Sequence, residues 1–223
     1  MLFDELGLPK DVGATDKMDS ARLAGLMVVI GYKSSGINLD LYTKYNDEGV
    51  LVAMRHPEEV PSNNYKNFTR DQLIPLAAGL KIQGKSGTAR KLYYAAIDRG
   101  YRAQNTEADI DGSVKKFPNG ADIFTPSHMN HLRMCSDEGS SLIGKLWLKL
   151  DILFNAKFSP MSEPNQLICM MLIAGPEYIK MWTKLNSKWK DAIREYWSGW
   201  RQEPELAEEL IACLNSICSL TTK

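Results

Sequence analysis

The chain has 223 residues, 44% of them hydrophobic and 24% charged, an ordinary mix that excludes a disordered or fibrous polymer. Lys and Arg number 27, as do Asp and Glu, so the formal charge is zero and no overall basic excess exists to draw a phosphate backbone. A chain of this length can bury a core without staples, and near-neutral charge removes repulsion between copies, which suits a protein that works inside an assembly.

The opening residues MLFDELGLPKDVG carry acids where a secretory signal carries bases. The longest apolar run, Leu23 to Ile30, falls far short of the roughly 20 residues that span a bilayer. A soluble chain in the cytoplasm of the producing cell, with no membrane partner, is the expectation. The first predicted helix covers about Ser20 to Tyr32, capped by Asp16 or Asp19, with Leu23, Leu26, Met27 and Ile30 as its stripe. Residues 37–54 then change period. Ile37, Leu39 and Leu41 alternate with polar neighbours, Asn46 to Gly49 supplies turn chemistry, and Val50 to Met54 is apolar, which predicts a small β-hairpin. Residues 57–67 read as loop. Thr69 and Gln72 have the form of a capping box for a helix ending near Gly79 or Gly84. Another helix is expected from about Gly87 to Asp98, with Leu92, Ala95 and Ala96 inward.

Residues 101–139 show no sustained period beyond a short helix near His128 to Met134. Ser140 or Ser141 caps a helix that carries Leu142, Ile143, Leu146, Trp147, Leu150 and Leu153 on one side. Pro164 lies in the first turn of a helix reaching Ile173. After Gly175-Pro176 a long helix is expected to about Gly199, with Ile179, Trp182, Trp189, Ile193 and Trp197 in line. Pro204 opens the last helix, with Leu206, Leu210, Leu214 and Ile217 inward. These elements predict one mainly α domain over residues 1–223, of six or seven helices and one hairpin near residues 37–54.

Four features could carry chemistry. The run from Arg55 to Gln72 holds Arg55, His56, Glu58, Glu59, Asn63, Asn64, Arg70 and Asp71, where a carboxylate, an imidazole and a guanidinium could do acid–base work if gathered. The capping box explains part of the same run without a substrate. His128 and His131 stand three apart with Cys135 beyond, but no zinc motif completes them, and polar loop histidines are the simpler reading. Asp109, Asp111 and Gly112, with Asp122 nearby, form only a fragment of a calcium loop and suit a turn. Glycoside cleavage could draw a carboxylate pair from Asp71, Asp109, Asp111 and Asp122. Trp182, Trp189, Trp197 and Trp200 could present a sugar-stacking or partner-binding surface, or serve as core. The cysteines Cys135, Cys169, Cys213 and Cys218 make no CxxC and read as reduced. Dinucleotide, P-loop, nucleophile-elbow and kinase signatures are all missing from the sequence, so no cofactor, metal or nucleic acid is expected.

The steps Arg55-His56-Pro57, Phe68 to Gln72 and Pro118 to Asp122, within roughly residues 49–132, resemble uncharacterised proteins encoded by tailed bacteriophages and prophages. The same segments resemble, more faintly, helical toroid enzymes acting on glycans. The resemblance implies a phage setting. Two functional expectations follow. The first is a structural or interaction protein, a virion-associated component binding other protein subunits as a homo- or hetero-oligomer. The second is a glycan-active lyase or hydrolase. It would use Asp71 with His56 or His128 and Arg70 for catalysis. Arg55, Asn64, Trp182, Trp189 and Trp197 are the expected binding residues.

Overall fold

The computed structural model describes residues 2–10, 20–46, 49–58, 70–98, 101–103, 106–108, 114–116, 122–158, 164–200 and 203–220. Its architecture is mainly α. Strands β1 (Leu2–Phe3) and β2 (Pro9–Lys10) pair ahead of α1 (Ser20–Ile30). A 3₁₀ turn at Leu39–Tyr42 leads into the antiparallel pair β3 (Thr43–Tyr45) and β4 (Leu51–Ala53). Helices α2 (Arg70–Ile82) and α3 (Ser86–Asp98) follow. Strands β5 (Arg102–Ala103), β6 (Thr106–Ala108), β7 (Val114–Lys116) and β8 (Asp122–Ile123) come next. The rest is helical: α4 (Pro126–Cys135), α5 (Leu142–Phe158), α6 (Pro164–Ala174), α7 (Pro176–Leu185), α8 (Trp189–Arg194) running into a π-helical turn at Glu195–Trp200, and α9 (Pro204–Ser219).

Helix α2 is the centre of the core. Leu73, Ile74, Leu76, Ala77, Ala78 and Leu80 are all fully buried, and α1, α3, α4 and α6 pack around them. The α1–α2 crossing is unusually close because both helices present glycine. A Cβ on Gly25 would lie 2.3 Å from the Pro75 carbonyl oxygen, and one on Gly79 would lie 2.5 Å from Leu39 Cδ1. Gly84, at φ 73°, ends α2 in the left-handed region, which lets Lys85 N–H reach back to the Leu80 carbonyl at 2.8 Å. The second half of the chain packs on the first, and buried apolar residues from Leu8 to Leu214 join one core.

Three expectations are corrected. The described residues contain nine α-helices rather than six or seven: the short helix expected near His128 is a full one, α4, and the long helix expected after Pro176 is two. Asn186 breaks it by accepting the Lys188 N–H on its side-chain oxygen at 3.2 Å, a turn that competes with the helical ladder. The hairpin exists, but its first arm is shorter than residues 37–54 imply. Asn38 Oδ1 takes the Asp40 N–H at 3.2 Å and curls Leu39–Tyr42 into a 3₁₀ turn, leaving Leu39 and Tyr42 buried and Leu41 exposed. The stretch expected to lack period also contains strands: β5 pairs with β8 and β6 with β7, both antiparallel.

Candidate functional site

The polar run beginning at Arg55 caps α1. The Arg55 carbonyl accepts the Ala21 N–H at 2.9 Å, and Gln72 Oε1 accepts the Arg22 N–H at 3.0 Å, satisfying two donors that a helix start leaves without intrahelical partners. Gln72 thus reaches across to α1, and the capping box expected between it and Thr69 turns on a residue, Thr69, outside those described. Asn63 and Asn64 also lie outside the described residues. Asp71 Oδ2 stands 3.8 Å from Nη1 of the buried Arg22.

His56 is committed elsewhere. Its Nδ1 accepts the Glu58 N–H at 3.2 Å, which fixes the proton on Nε2, and Nε2–H donates to Asp4 Oδ2 at 2.8 Å. Asp4 Oδ1 takes the Leu6 and Leu8 N–H groups at 2.9 and 2.8 Å. Burial alone would raise the Asp4 pKa, but the donors from Leu8, His56 and Leu6 outweigh it and hold the carboxyl below its usual range. Next to this pair, buried Ser20 Oγ and Tyr42 Oη share a hydrogen bond of 2.6 Å.

His128 lies at the start of α4. Its Nδ1 is 2.7 Å from Thr125 Oγ1 and accepts the Thr125 N–H at 3.2 Å, and Thr125 in turn caps the helix, so imidazole and hydroxyl form a capping box. Burial first, then the Arg70 guanidinium and His131, push the His128 pKa down to about 3. The ring is neutral at physiological pH and far too weakly basic for efficient proton abstraction. His131 donates Nε2–H to the Ile74 carbonyl at 2.9 Å, one residue ahead of Pro75, and burial lowers its pKa to about 4. The His-x-x-His pair thus joins α4 to its own cap and to α2. Among the described residues, no group of three or more His, Cys, Asp or Glu side chains is placed to hold a metal ion. Asp109 and Asp111 fall in a stretch whose side chains are outside the described residues.

The tryptophan expectation resolves in favour of the core. Trp182 and Trp197 are fully buried and Trp189 nearly so, so these three are corrected from a binding surface to packing residues. Trp182 Nε1–H donates to Asn155 Oδ1 on α5 at 3.0 Å, and its ring lies 6.1 Å from that of Trp189. Sequence reasoning missed Asp4, separated from His56 by about half a hundred residues, and Asp151, which accepts the Ser127 hydroxyl while burial raises its pKa.

Among the described residues, the densest run of exposed apolar side chains is on α5. Gly144, Leu148, Ile152 and Asn155 face inward, and Gly144 sits so close to α4 that a Cβ there would meet Asn130 Cβ at 2.2 Å. Ser141 N–H adds a 2.6 Å bond to Asn130 Oδ1. The opposite face is therefore held outward: Leu142 is 74% exposed, Ile143 64%, Leu146 52%, Trp147 42%, Leu150 55% and Phe154 63%, with Leu153 half-buried among them. Weighted by these exposures, four aliphatic and two aromatic side chains show on the order of 600 Å² of apolar surface, at or above the largest patch of an ordinary monomer. Lys145 and Lys149 flank it. No described helix is long and apolar enough to cross a membrane. Comparison with protein-family models, with curated proteins and with solved structures finds no match.

Proposed function

We propose that this chain is a structural, interaction protein that works as a subunit of a protein assembly, using the outer face of α5 as its contact surface. The observation that carries the reading is the row Leu142, Ile143, Leu146, Trp147, Leu150 and Phe154, exposed on a helix whose other face is locked to α4 and α7. Apolar surface of this extent is unfavourable in water and becomes favourable when another protein covers it. Trp147 and Phe154 belong to the residue types that anchor interfaces. The phage-protein resemblance makes a virion-associated particle the proposed setting.

The glycan-enzyme reading has less support. His56 is bonded to Asp4, Asp71 stands beside Arg22, and His128 is held neutral in a helix cap. The test is the double substitution Leu146→Glu/Leu150→Glu. Both sites are exposed, so the variant is expected to fold, with unchanged circular dichroism and melting. Complexes purified from producing cells should contain the wild-type chain and lack the variant. Equal incorporation of a folded variant overturns the proposal.

A further inference from the structure

We infer that the occupant of the α5 face is a second copy of this chain, related by a two-fold axis running along the helix so that the two α5 helices lie parallel. The inference rests on the assembly reading above and names its partner. Size is the first argument. Two copies of a face on the order of 600 Å² bury about 1,200 Å² in all, above the ~1,000 Å² that a specific interface needs. Closed two-fold pairing is also the commonest arrangement of a self-complementary surface, and the chain's zero net charge leaves no overall repulsion against it.

Spacing is the second argument. Ile143, Leu146, Leu150 and Leu153 recur at steps of three, four and three, the period of a two-stranded seam. Charge fixes the direction. One flank of the seam carries Leu142 and Lys149 and the other carries Trp147 and Phe154. An axis along the helices brings opposite flanks together. Leu142 then packs on Trp147 of the copy, and the Lys149 ammonium lies over Phe154 of the copy, a favourable cation–ring contact. An axis across the helices, pairing Leu146 with Leu150 of the copy, brings like flanks together and sets Lys149 against Lys149. Asp151, the one carboxylate within α5, does not relieve that repulsion, because it is turned inward to Ser127.

Single cysteines at opposite ends of the seam test both statements, in the full chain with Cys213 and Cys218 replaced by serine. In the parallel pair Ile143→Cys and Leu153→Cys each face themselves, and each alone should oxidise to a species of twice the 25.1 kDa chain mass. In the crossed arrangement each is about 15 Å from itself, given 1.5 Å of rise per residue, and only a mixture of the two variants links. Linking in the mixture alone overturns the parallel arrangement. A wild-type chain that stays at 25.1 kDa by light scattering into the high micromolar range overturns the second copy as partner. If Leu146→Glu/Leu150→Glu is still excluded from cellular complexes in that case, the assembly reading survives with a different subunit. Monomeric wild-type chain that instead floats with phosphatidylcholine/phosphatidylglycerol vesicles, with the double variant left behind, overturns both in favour of a lipid surface.

Discussion

Replacing Gly25 with alanine isolates the contact on which the core is built. The added Cβ would stand 2.3 Å from the Pro75 oxygen, 2.4 Å from its carbonyl carbon and 2.7 Å from Leu76 N, all backbone atoms that no rotamer change can move aside. Restoring ordinary contact requires α1 and α2 to part by about 1 Å, and a gap of that size forfeits a quarter to a half of each dispersion contact it opens. Overpacking alone costs roughly 1–3 kcal/mol. The lost packing between α1 and α2 raises the expected cost to about 3–5 kcal/mol, and the helix preference of alanine over glycine returns about 1 kcal/mol. A net loss of about 2–4 kcal/mol is expected, read as a lower urea midpoint at unchanged slope. Gly87→Ala is the control. A Cβ there meets nothing within 4 Å, in the first turn of α3, and stability should rise by a few tenths of a kcal/mol. Equal midpoints for wild type and Gly25→Ala would refute the close-crossing account.

Acid should unfold the protein through its buried histidines. The pKa values of His128 and His131 fall to about 3 and about 4, below the unfolded value near 6.5, so the unfolded chain binds more protons in between. Their neutral state costs nothing above about pH 6.5, and each ring costs roughly 1.4 kcal/mol per pH unit below it until its native pKa is reached. Melting curves from pH 7 to 4 should show this slope, and a profile flat from pH 6.5 to 4.5 would contradict it. Gln72→Ala leaves the Arg22 N–H buried without its acceptor and should cost about 1–3 kcal/mol in urea unfolding, a loss that a surface polar residue would not produce. Trp182→Ala should cost about 3–5 kcal/mol and loosen α7 from α5 through the lost Asn155 bond, whereas a surface-stacking tryptophan would leave the midpoint unchanged.

Much of the helical plan is legible because the stripes of α3 and α9 are one-sided, while α1 and α2 are apolar nearly all round and are buried on all sides. Leu23, Leu26, Met27, Leu92, Leu206, Leu210 and Leu214 are all buried where their spacing puts them. Helix α5 is the instructive exception. Its stripe is read correctly from Leu142 to Leu153, but the opposite side is apolar too, at Leu148 and Ile152, and periodicity alone cannot say which face meets the chain's own core. Gly144 decides it, since only that side can approach Asn130 closely. The tryptophans mislead in the other direction. Trp182 and Trp197 carry polar N–H groups and invite a surface role, yet their volume fills the core. The pairings Asp4 with His56, Ser127 with Asp151 and Gln72 with Arg22 join residues distant in the chain, and no local spacing announces them.

The proposed contact surface, the outer face of α5, can be probed at a single position. A photo-crosslinking residue in place of Trp147, expressed in the producing cell, tests it most directly, with the same residue at exposed Glu209 on α9 as the control. Illumination should give discrete higher-mass adducts from position 147 and only the 25.1 kDa chain from position 209. Adducts from position 209 with none from position 147 would contradict this placement of the contact surface.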